Sequence, residues 1–358
     1  MPSANRRRPF VRTCRTRRSG LDRLSGPVSL SQAARDPRRG GLHHERACRT
    51  PHKRLAGADR YATAVVISQY AFQSQYTGQP FAVTVASGTN FPDALAAGPV
   101  AAAQSGPLLL VPNDGVLPAT LSAELKRLNP SRVDIAGGTA AVSSTVQSEL
   151  QVLAGPGTVF RWAGQDRYDT AAQLAGLTGG LGKTVFIATG ASFPDALGGS
   201  AAAGRLGGAL LLTDRLTLPA ATVSALTSGK PAKVVILGGE AVIDPAVLSQ
   251  VQALLIPGAT VERWWGPDRY ATAAAISSNT YLQGATTAYL ASEADYPDAL
   301  AGAPVAALAG APLLLTQKDC VPASTLAELQ RLGTTKLVVL GGPNAFSDAA
   351  ANLTPCAG

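Results

Sequence analysis

The sequence predicts an α/β protein made of three tandem repeats, each a small three-layer domain around a parallel sheet. One observation is an eight-residue pattern, R-x-x-G-x-D-R-Y, that occurs three times with starts 107 and 102 residues apart, so that each period is long enough for a domain. The other is that short, continuously apolar strands alternate with helical segments, as expected for parallel strands covered on both faces. The copies of the pattern begin at Arg54, Arg161 and Arg263.

Each repeat begins with a helix and then alternates strands with helices. In the first repeat the strands are rich in β-branched residues and leucine, and Gly or Ser follows several of them. The helix after the first strand is rich in alanine, and the later helices are amphipathic. The segments predicted here are a helix over 62–72, a strand over 81–86, a helix from 91, strands over 107–111 and 132–136, and helices over 117–128 and 141–153.

The second and third repeats carry the same order of strands. Breaks rich in Gly and Pro separate the repeats, and the linkers are so short that the repeats should pack against one another. The predicted strands are 185–188, 209–212 and 234–237 in the second repeat and 288–291, 312–315 and 337–340 in the third. The predicted domains are a tail over 1–53 and repeats over 54–157, 158–259 and 260–358.

The positive charge of the chain belongs to its first 53 residues. They hold 13 Arg and 1 Lys against 3 acidic residues, a formal charge of +11, which leaves −3 for the rest of a chain whose total is +8. The repeats therefore show no broad electrostatic footprint for nucleic acid. The tail has few apolar residues, which predicts disorder, and it lacks the apolar segment of a secretory signal. Binding of nucleic acid or an anionic surface by the tail is a minor alternative.

No segment predicts a transmembrane span. The longest apolar run, 299–315, is close to spanning length. However, Pro304 and Pro312 interrupt it, and the equivalent segments of the other repeats contain polar residues. We interpret the run as a buried helix followed by a buried strand.

Two of the four cysteines, Cys320 and Cys356, lie in the last repeat at positions where the other repeats have none. A pair private to one domain suggests a disulfide and hence an oxidising compartment. Two free thiols are the alternative. A zinc site is not expected, because no C-x-x-C or His partner accompanies the pair.

The F/Y-P-D-A-L motif places an Asp three residues after a residue suited to an N-cap, Asn90, Ser192 or Asp295. An acid at the third helical position fits a capping box and suits the helix dipole. Pro is tolerated in the first turn because its missing N–H would have no partner there. We interpret three Asp residues as helix-capping groups rather than catalytic ones: Asp93, Asp195 and Asp298.

The D-R-Y part of the repeated pattern offers a second Asp and an Arg in each copy. The Asp can cap the helix that follows. The Arg can pair with the F/Y-P-D-A-L Asp, dock a neighbouring repeat or contact a ligand, since a guanidinium suits bidentate bonds to carboxylate or phosphate. The sequence leaves these roles open. The capping residues are Asp59, Asp166 and Asp268, and the candidate ligand-binding residues are Arg60, Arg167 and Arg269.

A Gly-Gly pair follows the third predicted strand of each repeat. Backbone N–H groups at such a turn can bind an anion, but neither a full G-x-G-x-x-G nor a Walker lysine is present, so tight turn geometry is the alternative. The candidate ligand-binding glycines are Gly137, Gly138, Gly238, Gly239, Gly341 and Gly342. Trp162, Trp264 and Trp265 could stack on sugar rings, although packing is preferred because repeat 1 has Leu55 and Ala56 there.

The positions of the histidines exclude several kinds of catalytic site. All three, His43, His44 and His52, lie in the predicted tail. A His-based triad and zinc sites built on His are therefore excluded within the repeats, and neither a metal nor another cofactor is predicted. Carboxylate-only chemistry stays open, but the acids shared by all three copies already have a capping interpretation.

With these motifs, the chain resembles the type 2 cell-wall-binding repeat family of Gram-positive surface proteins. The matching motifs are R-x-x-G-x-D-R-Y, V-x-x-A-S-G-x-x-F-P-D-A-L, P-L-L-L and the strand that ends in Gly-Gly. The resemblance covers about residues 54–356 in three copies. It implies flavodoxin- or toprim-like repeats packed as a pseudo-trimer. It also implies non-covalent attachment to an anionic cell-wall polysaccharide or teichoic-type polymer, with peptidoglycan as a further candidate.

The resemblance also draws attention to two departures. The family motif linked to the polymer is I-L-L in the second strand, and here Leu replaces the Ile in every copy, so these residues either support the fold or bind. The third repeat has Glu293 where the others have Gly88 and Gly190, which puts a shared ligand loop there in doubt. The triplets are Leu108, Leu109 and Leu110, then Leu210, Leu211 and Leu212, then Leu313, Leu314 and Leu315.

The sequence therefore predicts a secreted, non-catalytic wall-binding module in which three weak sites on one frame bind a repeating polymer by avidity. Because the repeats are net negative, this mechanism requires a local basic groove. Two alternatives from other classes are a peptidoglycan hydrolase of the N-acetylmuramoyl-L-alanine amidase type, or a modifier of one, and a surface-layer or adhesion protein.

Overall fold

The computed structural model describes residues 52–73, 82–155, 157–294 and 296–357. The tail is predicted to be disordered over residues 1–53, and of these only residues 52 and 53 lie within the described ranges. The strands are β1 (His52–Leu55), β2 (Ala82–Ser87), β3 (Leu108–Val111), β4 (Arg132–Ala136), β5 (Val159–Trp162), β6 (Thr184–Thr189), β7 (Ala209–Thr213), β8 (Lys233–Leu237), β9 (Thr260–Trp264), β10 (Thr287–Ser292), β11 (Leu313–Thr316) and β12 (Lys336–Leu340).

Helices connect these strands and cover both faces of each sheet. They are α1 (Arg60–Ala71), α2 (Phe91–Ala103), α3 (Ala119–Leu128), α4 (Ser144–Ala154), α5 (Arg167–Leu177), α6 (Pro194–Arg205), α7 (Ala220–Gly229), α8 (Pro245–Leu254), α9 (Arg269–Thr280), α10 (Tyr296–Leu308), α11 (Ala323–Leu332) and α12 (Asp348–Ala351). The predicted helices and strands occur in all three repeats, whereas β1, β5 and β9 lie where the sequence predicts no strand.

The described strands form three four-stranded sheets in which every pairing is parallel, in the orders β3-β2-β4-β5, β7-β6-β8-β9 and β11-β10-β12-β1. All residues of β2 and β3 are buried, because a parallel sheet of this kind is covered on both faces. With this strand order, the right-handed crossovers that parallel strands adopt place α2 on one face of the first sheet and α3 and α4 on the other. The α/β class with parallel-sheet repeats is thus confirmed.

The fourth strand of each sheet comes from the R-x-x-G segment at the start of the following repeat. β5 pairs with β4, with Val159 opposite Val133, and β9 pairs with β8. β1 joins the third sheet beside β12, with Leu55 opposite Leu340, so the first described strand closes the ring of repeats. The predicted boundaries after residues 157 and 259 therefore separate the first and second sheets from their own fourth strands, β5 and β9.

The three alanine-rich helices α2, α6 and α10 pack against one another around a pseudo-threefold axis. Small residues permit this approach: Ser200 Oγ in α6 donates to the carbonyl oxygen of Leu95 in α2 at 2.9 Å. A Cβ on Gly204 would lie 2.8 Å from Ala102 and 2.9 Å from Ala307, which is closer than non-bonded carbons pack. The pseudo-trimer implied by the family resemblance is confirmed, and it depends on these small side chains.

The leucine triplets are core residues. Their strands pack against the central helix of the preceding repeat, β7 against α2, β11 against α6 and β3 against α10. They therefore stabilise both their own sheet and the contact between repeats, and each fully buried leucine contributes about 2 kcal/mol. The sequence leaves open whether the triplets support the fold or bind a ligand, and their burial favours the role in the fold. The triplets are Leu108–Leu110, Leu210–Leu212 and Leu313–Leu315, each residue 0–2 % exposed.

Cys320 and Cys356 form a disulfide within the third repeat, with 4.8 Å between their Cα atoms. The alternative of two free thiols is therefore wrong. The bridge joins the loop after β11 to the segment after α12, where Val321 also pairs with Pro355 in an isolated β-bridge.

The apolar run over 299–315 forms most of α10 and then β11, as predicted. Within the described ranges, none of the helices has both the length and the apolar character that crossing a bilayer requires.

Candidate functional site

The carboxyl ends of β2, β6 and β10 lead into the N-termini of the three central helices, at one end of the pseudo-threefold axis. We call this region, with its three connecting loops, the axial end. Parallel sheets commonly present their ligand sites at the carboxyl ends of the strands. Because the three repeats are arranged around one axis, their equivalent loops meet here.

Three aromatic rings, one from each F/Y-P-D-A-L motif, meet at the axial end. The ring centroids of Phe91 and Phe193 are 5.6 Å apart, and Tyr296 lies 5.9 and 4.9 Å from them. These distances are typical of edge-to-face aromatic contacts. All three rings are partly exposed, and the Tyr296 hydroxyl donates to the Thr89 carbonyl at 3.0 Å. We call Phe91, Phe193 and Tyr296 the axial aromatic cluster.

The D-R-Y aspartates cap the helices that follow them. Asp59 accepts from the backbone N–H of Ala62 at 2.8 Å, and Asp268 accepts from that of Ala271 at 2.7 Å. Asp166 accepts two N–H groups of its first turn. Each cap fixes the start of its helix, so the Arg that comes next is the first helical residue and points toward the axial end.

Two of these arginines bond the loop that leads to the aromatic cluster. Arg60 Nη1 donates to the Gly88 carbonyl at 2.6 Å, and Arg167 Nη1 donates to the Gly190 carbonyl. Arg60 is partly exposed and Arg167 is exposed. Arg269 differs, because it forms an ion pair with Glu293 at 2.9 Å.

The aspartates of F/Y-P-D-A-L do not form the predicted capping box in α2 or α6. In α2 the N-cap is Asn90, whose side chain makes no capping bond, and its own N–H donates to Ser87 Oγ rather than to Asp93. In α6 the N-cap is Phe193 instead of Ser192. The capping box prediction is wrong there because the carboxylates face a different group, the Gly-Gly turn.

The first glycine of each Gly-Gly pair lies against one of these carboxylates. A Cβ on Gly238 would come within 2.5 Å of Asp195 Oδ2, and the same holds for Gly341 and Asp298. Both glycines also have φ near +100°, at +99° and +105°, a region that favours glycine. The Gly-Gly turn therefore packs closely against the Asp carboxylate in the second and third repeats. Gly137 packs against Asp93 in the same way in the first repeat.

The backbone N–H groups of these first glycines are already used. Gly137 donates to the Trp162 carbonyl at 2.9 Å and Gly238 to that of Trp264 at 3.1 Å. Gly341 donates to the Leu55 carbonyl at 2.9 Å. An anion-binding role for these three N–H groups is thus wrong, because they hold the fourth strand of each sheet. Gly138, Gly239 and Gly342 accept turn-closing bonds through their carbonyls, from the N–H groups of Val142, Ile243 and Phe346.

Burial changes the acidity of two of these aspartates. It raises the pKa of the Asp93 and Asp195 carboxyls to about 6, against the opposing effect of a nearby positive charge from Arg167 or Arg269. A hydrogen bond from Thr272 also favours the Asp195 carboxylate. Since Arg167 and Arg269 belong to the repeat that follows the Asp, these interactions cross the boundary between repeats.

The first Arg of the repeated pattern joins consecutive repeats, a role the sequence did not reveal. Arg161 Nη1 donates to the Gly137 carbonyl at 2.8 Å, and Arg263 does the same with Gly238 at 2.8 Å. Arg54 closes the ring by donating to the Gly341 carbonyl at 2.9 Å. A further recurring residue supports the joint: the pattern's Gly donates its N–H to a Thr two residues after the Tyr, Thr63, Thr170 or Thr272.

The tryptophans divide between packing and exposure. Trp162 Nε1 donates to Asp134 at 2.6 Å. Trp264 is buried against Phe186, with ring centroids 5.6 Å apart. Trp265 remains 54 % exposed. Among the described residues, no group of three or more His, Cys, Asp or Glu side chains is placed to hold a metal ion.

A family model matches the chain three times. It is described as cell wall binding domain 2 and covers residues 54–147, 161–248 and 263–351. The match therefore spans well over half of the chain, in the three repeats seen in the structure.

Two curated relatives come from Bacillus subtilis (strain 168). The chain is 30 % identical to N-acetylmuramoyl-L-alanine amidase LytC over 84 % of its own length and 57 % of that protein. It is 28 % identical to a protein named amidase enhancer, over 82 % of the chain and 39 % of that protein. The chain thus spans about half or less of the curated relatives it matches.

Two solved structures from Clostridium difficile have the same fold. Cwp6 superposes with a TM-score of 0.75 at 28 % identity, over 86 % of this chain and 48 % of that one. Cwp8 gives a TM-score of 0.74 at 29 % identity, over 83 % and 50 %. With the family match, these findings show that the chain belongs to the cell wall binding domain 2 family and is a cell-wall-binding module.

Proposed function

We propose that the chain is a secreted, non-catalytic module that binds an anionic polymer of the cell wall non-covalently at its axial end. The observation that carries the proposal is the position of two exposed or partly exposed arginines, Arg60 and Arg167, beside the axial aromatic cluster. A teichoic-type polymer or an acidic polysaccharide has the matching chemistry, negative groups on sugar or polyol units.

The arginines provide charge in a fixed orientation. Each guanidinium has five N–H donors in a planar fork, and the bond from Nη1 to a loop carbonyl fixes that fork relative to the loop. A guanidinium held in this way suits bidentate contact with phosphate or carboxylate. This local arrangement meets the requirement of a basic site on repeats whose overall charge is negative.

The aromatic cluster provides an apolar surface next to that charge. Its rings are partly exposed although they contact one another. Aromatic rings beside a few polar groups are typical of sites for amphipathic ligands. Sugar rings, which have apolar faces and polar edges, fit this combination.

Linked sites explain how weak contacts suffice. Three repeats around one axis hold their loops at fixed spacing, so a polymer bound at one loop meets the next at a high effective concentration. Affinity for a polymer should therefore greatly exceed affinity for one of its monomers.

A non-catalytic role is supported by how the acidic residues are used. A carboxyl with a pKa raised to about 6, such as that of Asp93 or Asp195, is also a signature of catalytic acids. Here, however, both carboxylates face glycine turns inside the seam between repeats. The structural network accounts for their environment without a substrate.

Binding to purified walls tests the proposal. The full chain should sediment with intact walls and should remain in solution with walls from which the anionic polymer has been removed by acid. Added poly(glycerol phosphate) or polygalacturonate should compete, and neutral dextran should not. Equal sedimentation with stripped walls would show that the anionic polymer is not the ligand.

Zymography tests the non-catalytic half of the proposal. The full chain, refolded in a gel that contains peptidoglycan, should leave no cleared band, while an active amidase in the next lane clears one. A cleared band from the chain would favour the hydrolase alternative.

A further inference from the structure

The three axial loops share one backbone hydrogen bond, but they differ in the side chain of the residue that donates it. The N–H groups of Gly88 and Gly190 donate to the strand that follows, at 2.9 Å in both repeats. Glu293 makes the equivalent bond to the Thr316 carbonyl at 3.0 Å. Neither Gly88 nor Gly190 has a positive φ, so the difference between the repeats is the Glu293 side chain itself.

That side chain is bound as an anionic ligand would be. Glu293 Oε2 lies 2.9 Å from Arg269 Nη1. The Tyr270 hydroxyl is hydrogen-bonded to the same carboxylate, and burial together with this bond raises the pKa of Tyr270. An Arg–Tyr pair of the repeated pattern therefore holds a carboxylate in the third repeat.

The corresponding tyrosines are arranged differently in the other repeats. Tyr270 is 8 % exposed, whereas Tyr61 and Tyr168 are partly exposed. Glycine leaves room for them, since a Cβ on Gly88 or Gly190 would lie 2.7 Å from a ring carbon of Tyr61 or Tyr168. Only the third repeat, among these three loops, fills that space with a negatively charged group.

The second repeat is intermediate. The Tyr168 hydroxyl is hydrogen-bonded to Asp214, which is exposed and lies just after β7. In the first repeat the residue at that place is Pro112, which carries no charge. A negative charge thus lies beside the tyrosine in the second and third repeats, and in the third repeat it also forms an ion pair with the arginine.

We infer that Glu293 is a built-in carboxylate that occupies the anion position of the third repeat, so that the wall polymer is bound by the first and second repeats. The inference rests on the proposed function and refines it: the three repeats share one frame, but Arg60 and Arg167 contact the acidic groups of the polymer. Glu293 determines how many sites the module uses.

Removal of the carboxylate tests the inference. Binding of the full chain and of the variants Glu293→Gly and Glu293→Gln to poly(glycerol phosphate) and to polygalacturonate is measured by titration calorimetry. Both variants should bind about tenfold more tightly, because a third linked site becomes available. The matched control Glu240→Gln removes one negative charge from another exposed turn and should change the affinity less than twofold.

A double-mutant cycle with Arg269→Ala identifies the site. In the native chain Arg269→Ala should weaken binding less than twofold, while Arg60→Ala should weaken it about tenfold. In the Glu293→Gly background Arg269→Ala should abolish the gain. The reciprocal variant Gly88→Glu should weaken binding to the same extent as Arg60→Ala.

Three results would overturn the inference: unchanged affinity of both Glu293 variants, an equal gain in Glu240→Gln, or an Arg269→Ala loss in the native chain as large as that of Arg60→Ala. The proposed function fails in a distinguishable way. In that case the native chain binds neither probe, and Arg60→Ala and Arg167→Ala leave sedimentation with intact walls unchanged. Because Glu293→Gln preserves the size of the side chain, misfolding of the glycine variant does not prevent the test.

Discussion

The repeated pattern contains two arginines, and their surroundings give them different tasks. Arg161 reaches back into the preceding repeat, where it donates to the Gly137 carbonyl and to Gln147. Burial there lowers its pKa. Arg167 is exposed at the axial end and bonds the loop of its own repeat. Both arginines recur in every repeat, so the sequence pattern does not separate them. Their burial and hydrogen-bond partners place Arg161 in the seam between repeats and Arg167 at the axial end.

The largest expected effect concerns the seam. Gly238→Ala places a methyl group at φ +99° and against the Asp195 carboxylate, so the free energy of unfolding should fall by about 4 kcal/mol. Urea unfolding followed by circular dichroism measures it.

The control is Gly176→Ala in α5, where a Cβ meets nothing within 4 Å. It should stabilise the protein by up to about 1 kcal/mol. If both alanine variants had the same stability, the fit of carboxylate against glycine would not contribute to the seam.

A smaller effect separates the two arginines directly. Arg161→Ala removes charged hydrogen bonds to the Gly137 carbonyl and to the Gln147 side chain and should cost about 3 kcal/mol of unfolding free energy. Arg167→Ala, at an exposed position, should cost less than about 1 kcal/mol. Thermal and urea unfolding of both variants measure the difference. Equal losses of unfolding free energy in the two variants would mean that Arg161 and Arg167 do not differ in their contribution to the contact between repeats.

The smallest effect is a pH dependence of the seam. The pKa of Asp195 is raised to about 6 in the folded protein, above the value of about 3.9 for an unfolded chain. The folded state therefore binds the proton more tightly. Protonation of Asp195 therefore stabilises the folded state. This stabilisation is complete below pH 4 and is lost as the pH rises through 6.

Asp195→Asn lacks this titration but keeps an acceptor for Thr272. Its unfolding free energy, relative to the native chain, should rise by about 2 kcal/mol between pH 4 and pH 7. Urea unfolding of both proteins at a series of pH values measures the difference. A constant difference across that range would show that Asp195 does not titrate as the structure indicates.

The repeats and their class were predictable because the signals are strong and local. Continuous apolar strands such as Leu108–Val111 indicate a sheet covered on both faces, and the triplicated pattern gives the number of repeats. The fourth strand was missed because β5 and β9 are half exposed and lack a continuous apolar run. They also follow Gly- and Pro-rich breaks, which favoured a domain boundary just before them.

The site was less predictable because it depends on contacts between distant segments. Glu293 stands out in the sequence as a departure from Gly88 and Gly190, but its partner Arg269 could be identified only from the structure. The axial aromatic cluster had a signal, an aromatic residue at the start of every F/Y-P-D-A-L motif. That the three rings would meet follows only from the pseudo-threefold packing.

Binding of the wall polymer at the axial end is tested most directly by the affinity of the Arg60→Ala/Arg167→Ala double variant for intact walls. Its matched control is Lys126→Ala/Lys183→Ala, which removes two exposed positive charges at the opposite, amino-terminal ends of the strands. The arginine variant should lose wall binding about a hundredfold, while the lysine variant and the native chain should bind alike. Equal wall binding by the two double variants would contradict binding at the axial end.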